Sequence, residues 1–303
     1  MSWDVPARRR RSHTAVVVLA AAAAAVAVDA CTAPVPSGPE ARPSPSAVTA
    51  MPTVTAELNQ FRDTYGKGII EIQLNNATPS PVTVLAARID SPLFPAGTAW
   101  QSAAGGTAVP PGQTKSFPAP LPAARCGPVA DADAVKATIS VAAGSGSGQQ
   151  EIPVTDPYGI LRRNNAELCL AQDAAAVALI RLEPDLDVSP DGGTAVVRLT
   201  VVPQPSADTL IIDRVEGTTL LAESVDDPWP NHVAVAGGGP PMELRLRIRP
   251  ARCDPHAVAE DKVGTLLPLQ VTVGNRQGVL KVDAGPVLRG RIYDFVTAAC
   301  LPH

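Results

Sequence analysis

Beyond residue 51 the apolar residues fall into short runs that alternate with polar ones or are β-branched, and turn-forming residues break them up. Glu71 to Leu74, Pro81 to Ala86, Val135 to Val141, Ala195 to Val202, Thr209 to Val215, Met242 to Arg249, Leu267 to Val273 and Gly278 to Val282 read as strands with one face toward a core. Pro79-Ser80-Pro81, Pro110-Pro111-Gly112, Asp191-Gly192-Gly193 and Gly237 to Pro241 supply turns between them, and Gly144 to Gly148 reads as a flexible hairpin loop. Helical periodicity is convincing only near Ala166 to Ala178, where it predicts a short element joining two halves of the chain.

Those halves repeat. Ala124-Arg125-Cys126-Gly127-Pro128 recurs as Ala251-Arg252-Cys253-Asp254-Pro255, Arg88-Ile89-Asp90-Ser91 recurs in type as Arg214-Val215-Glu216-Gly217, and Cys169-Leu170 recurs as Cys300-Leu301. The nearly constant offset, about 130 residues, predicts two domains of ordinary size at residues 52–172 and 176–303. Each unit then owns two cysteines. Four Cys allow three pairings, and the repeat symmetry selects Cys126–Cys169 and Cys253–Cys300. Metal binding is the competing use of these thiols, but thiolate sites usually bring ligands in close C-x-x-C pairs and the sequence holds none. Several strands per unit with one disulfide predict an all-β protein of two tandem β-sandwiches. The pattern is similar to an immunoglobulin-like arrangement, although it lacks the Trp midway between the paired Cys of antibody domains.

The N-terminus has a different logic. Arg8 to Arg11 form a basic region and Thr14 to Val28 an apolar run too short to span a bilayer comfortably, so residues 1–30 read as an export signal. Val28-Asp29-Ala30-Cys31 resembles the lipobox of bacterial lipoproteins, which implies lipidation of Cys31. Asp29 departs from that pattern, and cleavage to a secreted form or retention as an uncleaved anchor stay open. Residues 31–51, rich in Pro, Ser and Ala, read as a tether that reaches roughly 60 Å from the membrane when extended. The expected localisation is therefore extracytoplasmic and membrane-anchored. The stretch Ala251 to His256 through Glu260-Asp261-Lys262, with the exported Pro-rich head, resembles uncharacterised secreted proteins and lipoproteins of actinobacteria; that resemblance implies a cell-envelope location and brings no activity with it.

Composition narrows the function classes. The 303 residues are 45% hydrophobic and carry a net charge of −4, which disfavours nucleic acid as a partner. Aromatic residues make up 3%, too few for a stacking platform along sugars or bases. G-x-S-x-G, H-E-x-x-H and P-loop motifs are missing from the sequence, so neither catalytic residues nor a cofactor is expected. Two alternatives remain: a hydrolase built on dispersed carboxylates such as Asp185 with Asp187 and Asp226-Asp227, and a metal-handling lipoprotein centred on His256 in Cys253-x-x-His256. His232 has no local partner, and Trp100 and Trp229 read as equivalent anchors. Arg125 and Arg252, present in both copies, are expected to pair with Asp90 or Glu216. One feature belongs to the second copy alone. Leu244-Arg245-Leu246-Arg247-Ile248-Arg249 alternates strictly, which places three guanidinium groups on one strand face, and Arg289 and Arg291 add two more from another segment. This is either a solvated face balanced by acids or an anion-recognition face for an envelope component or an acidic protein. The expectation is a non-catalytic, membrane-tethered binding or assembly module.

Overall fold

The computed structural model describes residues 54–143 and 146–301; the expected signal, Cys31, the tether, Gly144, Ser145 and residues 302–303 lie outside the described residues. The first half contains β1 (Val54–Asn59), α1 (Arg62–Tyr65), β2 (Ile69–Asn76), β3 (Val82–Ser91), β4 (Phe94–Gln101) and β5 (Thr107–Val109). It continues through β6 (Thr114–Pro120), β7 (Lys136–Ala143), β8 (Gly146–Ile152), β9 (Val154–Thr155) and α2 (Ile160–Val177). One sheet has the order β6-β2-β1-β9 and the other β4-β3-β7-β8, with β5 also on β3.

The second half runs β10 (Ala178–Val188), β11 (Ala195–Pro203), β12 (Thr209–Val215), β13 (Leu221–Glu223) and β14 (Val233–Ala236). Then come β15 (Met242–Pro250), α3 (Pro255–Ala259), β16 (Leu266–Val273), β17 (Arg276–Asp283) and α4 (Gly285–Ala299). Its sheets are β10-β11-β15-β13 and β14-β12-β16-β17. In both halves the chain changes sheet at matching steps, after the second strand and again after β6 or β15. The protein is all-β in class, with two immunoglobulin-like sandwiches built to one plan.

Each sandwich has its own core because alternate residues of the facing strands point inward. Leu58, Ile70, Ile72, Ile89, Phe117 and Ile139 meet in the first; Leu199, Leu210, Ile212, Leu246, Leu269 and Val271 meet in the second. The strand reading was incomplete in places where the alternation is weak. β8 begins at Gly146, inside the expected loop, because its Gly-Ser-Gly start pairs with Val141 to Ala143 of β7. A larger departure is α4, whose Leu288, Ile292, Phe295 and Val296 form one buried helical stripe.

The expected joining helix is longer than its Ala-rich portion suggests. Asp156 accepts hydrogen bonds from the amides of Ile160 at 2.7 Å and Leu161 at 3.0 Å, which satisfies two unpaired donors of the first turn. Ile160 and Leu161 belong to the first core, while Leu170, Ala174 and Val177 belong to the second. At 100° per residue these two groups point about 120° apart around the helix axis, so α2 offers a different face to each sandwich.

Truncating Leu170, which is 3% exposed, should remove apolar contacts from the second core. Leu170→Ala is expected to lower stability by about 2–5 kcal/mol, read by urea unfolding with Trp229 fluorescence reporting the second sandwich. An unchanged midpoint would mean that the C-terminal half of α2 is not part of that core.

Candidate functional site

The cysteines are joined as Cys126–Cys169 and Cys253–Cys300, with S–S distances of 2.04 and 1.99 Å. In each repeat the bond ties the segment after β6 or β15 to the helix that closes the repeat. This differs from the inter-sheet disulfide of antibody domains. Two such bonds fit an oxidising, extracytoplasmic compartment. Among the described residues no helix is long and apolar enough to cross a membrane.

The arginine ladder occupies the outer face of β15, with Leu246 and Ile248 buried behind it. Strand register sets Arg245 opposite Arg198 of β11. Acids lie among these cations. Arg198 contacts Asp187 at 2.9 Å and Asp185 at 3.4 Å, Arg247 contacts Asp227 at 3.0 Å, and Arg245 lies 3.7 Å from Glu243. Arg249 donates to the carbonyl oxygens of Glu223 and Pro250. Arg289 and Arg291 sit on α4 and not on the ladder strand; Arg289 pairs with Asp283, and Arg291 reaches Asp185. Asp185 thus links Arg291 to Arg198, and the face is a mixed ion-pair network.

Other expected residues find partners that sequence spacing did not reveal. Asp90 pairs with Arg88 at 2.8 Å and Glu216 with Arg214 at 2.8 Å, so these acids are not partners of Arg125 and Arg252. The reason is local: residues two apart on a strand share a face. Trp100 packs edge-on against Phe117 at 4.6 Å. Trp229 is buried and donates from Nε1 to the Arg247 carbonyl at 2.8 Å. His232 Nδ1 lies 4.0 Å from Asp213. Cys253 is bonded to Cys300 and offers no thiolate beside His256, and Asp254 caps α3 by accepting from the His256 amide. No group of three metal-binding side chains converges among the described residues.

Among the carboxylates named for hydrolysis, Asp185 is held as an anion. The Arg291 hydrogen bond keeps the Asp185 carboxyl below the usual range, the opposite of what a general acid requires. The carboxyl of Glu71 is displaced the other way. It sits on β2, 4% exposed, and burial pushes it up first, with the Asp63 charge second.

A polar cluster missed at the sequence level lies where the two sandwiches meet. Lys281 of β17 donates to Glu167 of α2 at 2.9 Å and also to the Tyr65 hydroxyl of α1. That hydroxyl donates to Glu167 at 2.7 Å. The ammonium stands 3.8 Å from the centre of the Tyr65 ring, and the Arg163 guanidinium approaches the same ring at 5.2 Å. Burial, then Glu167, pushes the Tyr65 hydroxyl up to about 12, so it remains a donor. Burial lowers Lys281, and Glu167 opposes that shift. Nearby, Arg276 of β17 reaches Asp173 at 2.7 Å and the Cys126 carbonyl at 2.5 Å.

Beside this cluster is a cavity of about 300 Å³ lined by Arg62, Tyr65, Val263, Leu266, Pro268 and Lys281, with Thr218 and Thr219. Both threonine hydroxyls are engaged elsewhere, with the Gly264 carbonyl and with Asp261. A second groove of about 540 Å³ runs between β10 and α4 over Leu186, Val188, Arg291 and Phe295. Residues from separate elements build both, which is why no local motif announced them.

The fold defines an all-β protein of two sandwiches stapled by two disulfides. No family model and no curated protein sequence matches the chain. Among solved structures it is similar to a transglutaminase of red sea bream at 10% identity and TM-score 0.22, over 77% of this chain and 31% of that one. A protein of unknown function from Porphyromonas gingivalis W83 aligns at 13% identity and TM-score 0.21, over 76% of this chain and 96% of its own. An exo-chitosanase of Amycolatopsis orientalis aligns at 13% and 0.20, over 70% of this chain and 25% of its own. The chain therefore spans less than a third of the transglutaminase and a quarter of the chitosanase. None of these likenesses bears on activity.

Glu71 generates a signed prediction. Because its folded-state value is raised, its contribution to stability is full below the ordinary value of 4.5 and is lost as pH rises through the folded-state value. Glu71→Gln is expected to raise the thermal midpoint near neutral pH and to leave it unchanged below about pH 4. A lowered midpoint at neutral pH would show that the carboxylate is stabilised in place.

Proposed function

We propose that the chain is a non-catalytic binding or assembly module held at the outer side of the membrane, of the kind its sequence resembles in actinobacterial envelopes. An acylated Cys31 and the tether of residues 31–51 would keep the paired sandwiches within reach of the surface while leaving them free to orient. The observation that carries the binding reading is α2. By giving one end to each core it holds two sandwiches as a fixed pair, with a walled cavity between them. Against a hydrolase built on dispersed carboxylates, Asp185, Asp187 and Asp227 are engaged by arginines.

The partner class is an anionic component of the envelope. On the ladder face Arg249 meets carbonyl oxygens and Arg245 only a distant Glu243, so these two cations keep the most charge for an incoming anion.

Cys31→Ser is expected to move the protein from the membrane fraction to the medium, and persistent membrane association would overturn anchoring through that residue. The immobilised mature chain should retain an anionic glycolipid or acidic polymer from detergent-solubilised envelope and release it unaltered at high salt. Arg245→Gln combined with Arg249→Gln should weaken that retention without moving the thermal midpoint, since exposed pairs contribute about 1 kcal/mol or less. Recovery of a cleaved product would overturn the non-catalytic reading.

A further inference from the structure

We propose that the cavity between α1 and the second sandwich binds a small amphipathic anion, a single acidic headgroup on a short aliphatic chain. This names a ligand class within the binding-module reading and rests on it.

Three features converge on that class. The first is the wall. Val263, Leu266 and Pro268 contribute apolar surface, and the two threonines have their hydroxyls bound elsewhere. Such a lining favours hydrocarbon over a sugar or a peptide, because it offers few partners to a polyhydroxyl or amide ligand.

Size is the second. About 300 Å³ is at the lower end of ligand sites, enough for a medium-chain acyl group and too small for a diacyl lipid. The third is charge. Arg62 lines the cavity with no carboxylate within ion-pairing distance among the described residues, whereas Lys281 is already neutralised by Glu167. One unpaired cation beside an apolar wall selects a ligand with one negative group and a hydrocarbon tail. Tyr65 adds aromatic surface to the same wall, its hydroxyl being engaged by Glu167 and Lys281.

The geometry also explains why the cavity persists. Leu266 packs so tightly against Gly66 that a Cβ added there would come within 3.0 Å of its side chain. The Lys281–Glu167–Tyr65 contacts hold α1, α2 and β17 in place around it. The site is therefore preformed, and a ligand meets little reorganisation cost.

Octanoate, with 1-octanol as the neutral control, tests the proposal on the mature full chain. Calorimetry should show one saturable site for octanoate, at least tenfold tighter than for 1-octanol, with NMR methyl shifts centred on Val263 and Leu266. Arg62→Gln should weaken octanoate about tenfold, the loss of one ion pair of moderate strength, while leaving the 1-octanol affinity unchanged. Val263→Phe, which fills the cavity, should abolish binding of both. Absence of saturable binding, equal affinity for the two probes, indifference to Arg62→Gln, or methyl shifts elsewhere would each overturn the site. If octanoate fails while the chain still retains its anionic envelope component, the cavity proposal alone falls; if both fail, the binding-module reading falls with it.

Discussion

The arrangement of the molecule depends on one helix contributing to two cores. Ile160 and Leu161 cannot leave the first sandwich, nor Leu170, Ala174 and Val177 the second, without exposing buried aliphatic surface. Each fully buried Leu, Ile or Val contributes about 1.5–3 kcal/mol through removal from water, so the two docking events outweigh the flexibility a linker would keep. The Cys126–Cys169 bond fixes the helix at its middle, and Arg276 binds both Asp173 of the helix and the carbonyl of Cys126. A hydrophobic constraint thus becomes an orientational one. The wall of the junction cavity is drawn from elements of both sandwiches that α2 holds together.

Duplication supplies an internal comparison. α4 closes the second repeat as α2 closes the first, and each carries or abuts the cysteine bound to the segment after β15 or β6. Leu288, Ile292, Phe295 and Val296 of α4 fall on one stripe, so that helix folds back on its own sandwich. The α2 apolar residues form two stripes separated around the axis, and a helix with two faces needs two partners. The repeats have kept the staple and diverged in what the closing helix covers.

These particulars also explain what was readable in advance. β12 was visible over its full length because Thr209 to Val215 is a short, aliphatic-rich run between Ser206–Asp208 and Gly217, and the disulfide pairing followed from repeat symmetry. α4 was hidden because Leu288-Arg289-Gly290-Arg291-Ile292 imitates strand alternation, and only the spacing to Phe295 and Val296 distinguishes it. The first turns of α2 were hidden because their apolar residues belong to a different stripe from the Ala-rich portion. The ladder could be read as a row of cations, but Asp227, the acid on Arg247, comes from the β13–β14 connection, and Arg198 with its β10 acids stands beside Arg245 only through a strand register that no local window contains. The Tyr65–Glu167–Lys281 cluster joins residues more than a hundred positions apart, and no spacing rule reaches that far.

Charge placement at the junction follows from the cost of burying it. An ammonium taken from water without a partner is disfavoured by several kcal/mol, and Lys281 at the half-buried edge of β17 meets that cost through Glu167 and the Tyr65 hydroxyl. Satisfying Lys281 in this way removes it as an independent anion receptor. Arg62, on the exposed turn α1, faces no such demand and needs no neutralising acid to remain charged. The charge character of the cleft is therefore set by its least structural cation, while the half-buried pair beside it maintains the shape. This separation of roles, with one ion pair holding the wall and one arginine lining the cavity, is what the proposed binding of an anion there would use.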